Sequence, residues 1–183
     1  MRKLVLKMSV SLDGFACGPR GELDWVFRTL DDEVTDWVVD SLRGAGVHVM
    51  GRRTYDDMAG YWPCSTEPFA PAMNEIPKVV FSRTLRQATW TASRVASGDL
   101  ADEIGALKRQ PGKDILAHGG VRFARSLAGL GLVDEYRLTI HPVVLGHGGS
   151  LFADLPRPVH LTLVSSRSFG TGTVAHVYRP RAG

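Results

Sequence analysis

The sequence predicts an α/β domain in which helices cover a mixed β-sheet. Segments of β character alternate with segments whose apolar residues recur at helical spacing, and this alternation is typical of a layered α/β fold. The helical segments end by about Leu130 and only strands are predicted after it, with an antiparallel pair closing the sheet. No repeat, low-complexity tract or linker divides residues 1–183, so we expect a single domain.

The first half of the chain is predicted to begin with a central strand. This strand runs from Lys3 to Leu12 and ends in the turn pair Asp13-Gly14. A helix is predicted from Asp32 to Leu42, because acidic residues begin it, apolar residues share one face, and Gly44 and Gly46 follow it. The next elements are a strand over 47–50, a short helix ending at Met58, a long surface loop from Tyr61 to Pro77 with four prolines, and a strand over 78–81.

The second half is predicted to contain two more helices. The first spans about Asp99 to Arg109, and the second spans about Val121 to Leu130 with Phe123, Ala124, Leu127 and Leu130 facing inward. The predicted strands cover 89–95, 114–117, 135–142, 160–168 and 173–178, with the turn Gly170-Thr171-Gly172 joining the last two.

Composition and charge exclude several classes of protein. Hydrophobic residues make up 44% and charged residues 22%, near the averages for globular proteins. The net charge of +3 comes from arginines spread along the chain, which does not predict nucleic-acid binding. The two cysteines and six histidines have no metal-ligand spacing, so no metal is expected. No apolar run is long enough to span a bilayer, so no membrane partner is expected. The basic N-terminus is interpreted as the start of a strand and not as a signal peptide. We therefore expect a reduced cytoplasmic protein.

Four predicted strands end in residues suited to ligand binding. In an open α/β sheet, ligands bind at the carboxyl ends of the strands. The four strand ends are Asp13-Gly14, Gly51 to Thr54, Ser82 to Thr84, and His118 to Gly120.

Two of these strand ends lead directly into helices. Gly119 and Gly120 leave backbone N–H groups open at a helix start, which suits a pyrophosphate, although a tight strand-to-helix turn is an equal alternative. Arg52, Arg53 and Thr54 suit a phosphate monoester; alternatively the arginines are solvated and Thr54 caps the helix.

A second cluster of basic and hydroxyl residues follows another strand. Ser82, Arg83 and Thr84 repeat the chemistry of residues 52–54, and two such clusters suggest the 2′-phosphate of NADPH. No G-x-G-x-x-G follows the first strand, so an ordinary dinucleotide-binding Rossmann domain does not account for the pattern.

Six motifs in order carry a family resemblance. They are SLDGF, GRRTY, YWP, KVVFSRTL, HGGVRFARSL and LVDEYRLTIHPVVLGHGGSLF, between Leu4 and about Tyr178. In this order they resemble the dihydrofolate reductase-like superfamily, in its bacterial branch that includes the C-terminal reductase domain of riboflavin biosynthesis. The resemblance implies a three-layer α/β/α fold with a mostly parallel sheet, an antiparallel C-terminal strand, and NADPH lying across the carboxyl edge.

The resemblance also implies roles for residues at that edge. It implies cofactor phosphates at Arg52, Arg53 and Thr54, the adenosine 2′-phosphate near Ser82 and Arg83, the pyrophosphate at Gly119, Gly120, Val121 and Arg122, and the nicotinamide near Asp13, Gly14 and Phe15. A cis peptide bond between Gly119 and Gly120 is a further expectation from relatives.

Candidates for catalysis are few. Asp36 falls near the position of the superfamily's substrate-binding carboxylate, but its Thr35-Asp36-Trp37 context differs, so a solvated aspartate is the better interpretation and folate reduction is not predicted. Asp13 could act as an acid or only form the turn, and His118 could donate to a phosphate or be structural. Tyr61, Trp62 and Phe69 could wall a substrate pocket or belong to the core.

The sequence therefore predicts an NADPH-dependent reductase. Hydride transfer to a small heterocycle, such as a pterin or a flavin precursor, or to a carbonyl or imine, requires few protein acids. A sensor that binds NADP(H) without turnover is the alternative, and a nucleic-acid or partner-binding protein is a third, weaker hypothesis based only on the basic charge. A homodimer could form through 135–142 and 143–145, or these segments could be buried within one chain.

Overall fold

The computed structural model describes residues 1–181, in which ten strands build two sheets. The strands are β1 (Leu4–Ser11), β2 (Phe15–Cys17), β3 (Ala45–Gly51), β4 (Lys78–Phe81), β5 (Ser93–Ala96), β6 (Asp114–Ala117), β7 (Glu135–His141), β8 (Gly149–Ser150), β9 (Leu161–Ser168) and β10 (Val174–Pro180). The large sheet has the order β5-β4-β3-β6-β1-β7-β10-β9, and β2 pairs with β8 in a separate ribbon.

Most neighbours in the large sheet are parallel. All pairs from β5 to β7 are parallel, whereas β10 runs antiparallel to both β7 and β9. The predicted antiparallel closing pair is thus confirmed. β7 is hydrogen-bonded on both sides by β1 and β10, so it offers no open strand edge to a second copy, and a homodimer through 135–142 and 143–145 stays a prediction.

Helices cover both faces of the sheet and give the three predicted layers. They are α1 (Asp24–Phe27), α2 (Asp32–Arg43), α3 (Arg52–Tyr61), α4 (Ala70–Glu75), α5 (Leu100–Arg109) and α6 (Val121–Gly129). Leu42, Tyr55 and Met73 bring α2, α3 and α4 onto one face, which we call the α2 face. Ile104 and Leu127 bring α5 and α6 onto the other. Burial of these apolar side chains stabilises the arrangement, by roughly 1.5–3 kcal/mol for each large one.

Local hydrogen bonds fix where α2 and α5 begin. The Asp31 carboxylate accepts the Val34 N–H at 2.8 Å, and the Asp99 carboxylate accepts the N–H groups of Ala101 and Asp102. Gly44 ends α2 as predicted, whereas Gly46 lies inside β3, so the strand begins earlier than its apolar run indicated.

Three further predictions of local structure are wrong. The predicted surface loop from Tyr61 to Pro77 contains a 3₁₀ turn at Trp62–Cys64 and then α4, whose Ala70, Ala72 and Met73 are buried. The strand predicted over 89–95 begins only at Ser93. Leu130, predicted to face inward, is 56% exposed because α6 ends at Gly129.

No helix among residues 1–181 combines the length and apolar character that crossing a membrane requires.

Candidate functional site

The four predicted strand ends meet at one edge of the sheet. β4, β3, β6 and β1 are consecutive, parallel neighbours, so the residues after them line a continuous carboxyl edge. Two side-chain hydrogen bonds tie this edge together. Thr54 Oγ1 donates to the Gly119 carbonyl at 2.8 Å, and Arg52 Nη1 donates to Thr84 Oγ1 at 2.7 Å.

The turn between β6 and α6 is held closely against the start of α3. Gly120 has φ +94°, and a Cβ on it would lie 2.6 Å from Thr54 Oγ1. A Cβ on Gly51 would lie 3.3 Å from the Cβ of Phe123. All peptide bonds of the described residues are trans, so the expected cis bond between Gly119 and Gly120 is wrong, and the positive φ makes the bend instead. Thr54 is not the α3 cap, since Gly51 occupies that position.

Exposed arginines surround this edge. Arg52 pairs with Asp56 on the next turn of α3, at 3.3 Å. Arg53, Arg83 and Arg122 are exposed, and none of the three has an ion pair within the described part of the chain. Ser82 Oγ accepts the N–H groups of Thr84 and Leu85, which shapes the turn that carries Arg83. The result is an edge rich in donors and positive charge.

The Asp13 carboxylate is held in place by hydrogen bonds from neighbouring parts of the chain. It accepts a hydrogen bond from Ser11 Oγ at 2.6 Å and from the backbone N–H groups of Leu145 and Gly146. The Ser11 bond and these N–H groups lower the pKa of Asp13 to about 2. A carboxylate with so low a pKa has no proton to give near neutral pH, which argues against its use as an acid. Gly14, with φ +84°, then turns the chain into Phe15 and β2.

His118 points into the protein rather than toward the glycines. Only 6% of the residue is exposed, and its ring meets the His48 ring edge-on at 4.5 Å between centroids. Burial lowers the pKa of His118 well below its usual value, and the nearby His48 adds to the effect, so both rings are neutral near pH 7. This favours the structural interpretation over donation to a phosphate.

The residues predicted to line a substrate pocket do not converge in the way that the four strand ends do. Asp36 is exposed on the outer side of α2, while Val34, Val39 and Leu42 supply the buried side. The rings of Tyr61 and Trp62 meet at 4.9 Å, and Trp62 meets Phe69 at 6.0 Å. Trp62 and Phe69 also pack against the apolar cluster beneath α4, which favours a core role.

The structure has a region of polar strand residues on the α2 face, which we call the polar gap and which the sequence analysis did not identify. Two apolar clusters lie on this face, one including Val5 and Leu42 and the other formed by Val34, Phe169 and Ala175. The strand residues between them are polar, and they are Lys7, Ser9, Arg137, Thr139 and His141.

Lys7 stands out within the polar gap. Its side chain has no hydrogen bond or ion pair among residues 1–181, and burial lowers its pKa to about 8. Thr139 Oγ1 and His141 Nε2 are buried without a partner, although His141 Nδ1 lies 2.6 Å from Thr29 Oγ1. The signal available in the sequence was a lysine in the middle of a strand that is otherwise apolar or small. Unsatisfied buried groups of this kind are typical of ligand sites.

A separate groove of about 400 Å³ opens at the opposite, amino edge of the sheet. Arg2, Arg94 and Gln110 lie along it, near the starts of β3 and β5. It is remote from the four strand ends, because parallel strands carry their amino and carboxyl ends at opposite edges. Of the six motifs, only KVVFSRTL reaches this groove, through Lys78 and Val79 at its amino end, so we place the candidate site at the carboxyl edge.

Known proteins with similar sequences share nearly the whole chain. Residues 2–175 match the model of the family described as RibD C-terminal domain. The uncharacterized protein YyaP of Bacillus subtilis is 36% identical over 184 aligned positions, covering 97% of this chain and 94% of that protein.

Solved structures show the same fold at lower identity. A Shewanella sp. PV-4 protein named "Putative riboflavin biosynthesis protein" superposes with a TM-score of 0.82 at 23% identity, covering 98% of this chain and 99% of that one. Dihydrofolate reductase from Enterococcus faecalis, solved with NADP(H), superposes with a TM-score of 0.65 at 15% identity, covering 98% and 97%. The predicted dihydrofolate reductase-like fold is confirmed, and the chain belongs to the RibD C-terminal domain family.

Proposed function

We propose that this protein is an NADPH-dependent reductase that acts on a small heterocycle, pterin-like or flavin-precursor-like, or on a carbonyl or imine group. The observation that carries the proposal is the convergence of three loops at the carboxyl edge, through the Thr54–Gly119 and Arg52–Thr84 hydrogen bonds. Family membership supports the reductase class, and the arginines around the edge support a phosphorylated cofactor.

The residues of the edge fit a dinucleotide with an extra phosphate. Gly120 leaves no room for a side chain, so a pyrophosphate could approach the start of α6 closely, beside Gly119, Val121 and Arg122. We assign Ser82, Arg83 and Thr84 to the 2′-phosphate, with Arg52 held against Thr84 from α3. Gly51, Arg53 and Thr54 would lie along the remaining phosphates, His118 would support the bend from inside, and Asp13, Gly14 and Phe15 would border the nicotinamide.

The polar gap on the α2 face is our candidate for the substrate site. When bound, NADPH supplies the hydride from C4 of its nicotinamide. The Lys7 ammonium would hold the acceptor group of the substrate and favour the developing negative charge on its oxygen or nitrogen. We place Asp36, Tyr61, Trp62 and Phe69 at the outer margin of this pocket at most, because their contacts are already structural or solvent-facing.

A second candidate is a non-catalytic NADP(H) sensor. It is favoured by one observation, that neither predicted carboxylate is suited to proton transfer: Asp13 is held ionised by three donors and Asp36 is exposed. The reductase remains preferred because the partnerless Lys7 lies within the sheet, where it serves no structural bond. In either case the two free cysteines, Cys17 and Cys64, fit the reducing conditions of the cytoplasm.

Tryptophan fluorescence titration with NADPH and NADH tests the cofactor assignment. Hydrogen bonds between charged partners contribute about 1.5–3 kcal/mol, so Arg83→Ala should weaken NADPH binding by roughly ten- to a hundredfold and leave NADH binding unchanged. Arg109→Ala, an exposed arginine at the end of α5, is the matched control and should change neither affinity. Equal affinity of the unmodified protein for both cofactors would refute the 2′-phosphate site.

Turnover separates the two candidate functions. NADPH-saturated protein is mixed with a panel of pterins, flavin precursors, carbonyls and imines, and oxidation is followed by the nicotinamide absorbance. Oxidation that depends on one class of compound supports the reductase. Tight NADPH binding without oxidation by any class would favour the sensor.

A further inference from the structure

The groove at the amino edge of the sheet, which we call the amino-edge groove, lies apart from the candidate site. Its volume of about 400 Å³ is within the range of roughly 300–1,000 Å³ that is typical of small-molecule sites. It opens where β3, β4 and β5 begin, beside the end of α5. Its walls combine apolar side chains, which include Val47, Val79 and Leu107, with the polar side chains of Arg2, Arg94 and Gln110.

Arg2 is a buried arginine with unused hydrogen-bond donors. Only 8% of the residue is exposed, and its Nε donates to the Lys113 carbonyl. The two amino groups of its guanidinium have no hydrogen-bond partner among residues 1–181, and the group forms no ion pair there. A buried charge with so few partners is unfavourable unless a counter-ion compensates it. An anion in the groove would supply that compensation.

The backbone around Arg2 leaves room for the guanidinium. A Cβ on Gly46, in the groove wall, would lie 3.0 Å from Arg2 Nη2 and 3.0 Å from the Lys113 carbonyl oxygen. Gly112, with φ +129°, also lies against this group, because a Cβ on it would be 3.9 Å from Arg2 Nε and Cζ. The guanidinium is therefore held in place before any ligand arrives, and a preorganised donor loses less entropy on binding.

The charges around the groove favour a ligand with a single negative charge. Arg94 Nη1 lies 3.7 Å from a Glu103 carboxylate oxygen, so these two charges largely cancel. The Lys78 ammonium is already bound to three backbone carbonyls. Burial lowers the pKa of Arg2 and the nearby Asp114 raises it, although the Asp114 carboxylate accepts a backbone N–H and does not pair with the guanidinium. The small positive excess that remains suits a monoanion better than a dianion.

We propose that the amino-edge groove binds a small monocarboxylate with an apolar body. The planar guanidinium of Arg2 would donate one N–H from each amino group to the carboxylate, and the valine and leucine side chains of the walls would contact the body. Ser93, whose hydroxyl is buried without a partner, lies in the same wall. The groove and the strand ends assigned to NADPH are at opposite edges of the sheet, so this proposal is independent of the proposed function.

NMR titration of the isotope-labelled chain with three matched probes tests the chemical class of the ligand. The probes are 3-phenylpropanoate, 3-phenylpropanol and 3-phenylpropyl phosphate, which share one apolar body. Amide signals of residues 46–47 and 92–94 report binding in the groove, and those of residues 119–122 report binding at the carboxyl edge. We expect 3-phenylpropanoate to bind the groove more tightly than the uncharged alcohol or the doubly charged phosphate.

Four variants test the residues of the groove. Arg2→Met should weaken the binding of 3-phenylpropanoate roughly tenfold or more, because it removes the charged donors. Gln110→Glu should also weaken it by adding a negative charge, whereas Glu103→Gln should strengthen it by leaving Arg94 without its partner. Gln87→Glu, at an exposed glutamine outside the groove, is the matched control and should bind like the unmodified chain.

Several outcomes would overturn the proposal. They are no shift of the groove amides with 3-phenylpropanoate, shifts confined to residues 119–122, or groove binding of the alcohol or the phosphate that is as tight as that of the carboxylate. Unchanged affinity in a folded Arg2→Met variant would also overturn it. If Arg2→Met loses its circular dichroism spectrum, Gln110→Glu and Glu103→Gln decide the matter, and unchanged affinity in both would exclude an anion site in the groove.

Discussion

Gly120 has a backbone conformation and a neighbour that together exclude other residues. Its φ of +94° costs an L-residue about 1–2 kcal/mol, and a Cβ would clash with Thr54 Oγ1. Gly120→Ala should therefore lower the free energy of unfolding and abolish tight NADPH binding. Urea unfolding and fluorescence titration measure the two effects.

Two further variants separate the backbone cost of Gly120→Ala from the clash with Thr54. Gly131→Ala, with φ +66° and open space around it, should show the backbone cost alone and bind NADPH normally. Adding Thr54→Ala to Gly120→Ala removes the clashing oxygen, so the pair should be less destabilised than the sum of the single changes. Strict additivity would show that the clash has no part in the effect.

Lys7 combines a stability cost with a proposed function. A half-buried ammonium without a hydrogen-bond partner in the described chain is unfavourable, so Lys7→Met should stabilise the fold by about 1 kcal/mol, or roughly 2–4 °C in Tm. Turnover should fall at least a hundredfold while NADPH affinity is unchanged. Lys3→Met, at a half-exposed lysine that directly precedes β1, is the control and should retain full turnover. Retained activity in Lys7→Met would exclude Lys7 from the substrate site.

The sequence permits prediction of the carboxyl edge far better than of the polar gap. Residues 51–54, 82–84 and 118–120 are contiguous motifs at strand ends, and the rule that parallel strands share a carboxyl edge is enough to bring them together. Lys7, Thr139 and Thr29 come from separate elements. Their common location depends on which strand neighbours which, and on the face that each side chain takes.

At the scale of elements, the prolines between Tyr61 and Pro77 led to a wrong prediction. α4 is only six residues long and would be marginal alone. It forms because its apolar side chains are buried and because Lys78 Nζ donates to the carbonyls of Met73, Asn74 and Ile76. A lysine at the start of a strand gave no signal that its ammonium would turn back to the carbonyls at the end of the preceding helix.

Replacing Lys78 tests its support of α4. Lys78→Met leaves three carbonyls without their donor and removes the cation from the Trp90 ring, 4.5 Å away. We expect a loss of about 3 kcal/mol in the free energy of unfolding and faster hydrogen exchange over residues 70–76. Lys78→Arg, which keeps donors and charge, should recover part of the loss. Unfolding equal to that of the unmodified chain would contradict this role.

At the scale of the whole molecule, the order of the strands determines where polar side chains can be buried. The α5–α6 face is covered by one continuous apolar cluster, and alternation along β1 predicts that face well. On the α2 face, polar and titratable side chains interrupt the apolar packing from β3 across to β7, including His48, His118, Lys7 and His141. Few carboxylates lie on this face to balance additional positive charge. Protonation of its histidines in acid should therefore destabilise the fold.

Acid should destabilise the folded chain through its buried histidines. Burial lowers the pKa of His48 to about 3 and the pKa of His141 to about 4, whereas both titrate near 6.5 when unfolded. The unfolded chain therefore binds more protons below pH 6.5, and stability falls as pH decreases from there toward 4, by about 2 kcal/mol per histidine at pH 5. Urea midpoints at pH 7 and pH 5 measure this loss. His48→Leu should reduce it by the share of one histidine, whereas replacing exposed His147 with Gln should leave it unchanged. A loss that is the same in His48→Leu as in the unmodified chain would mean that the acid sensitivity arises elsewhere.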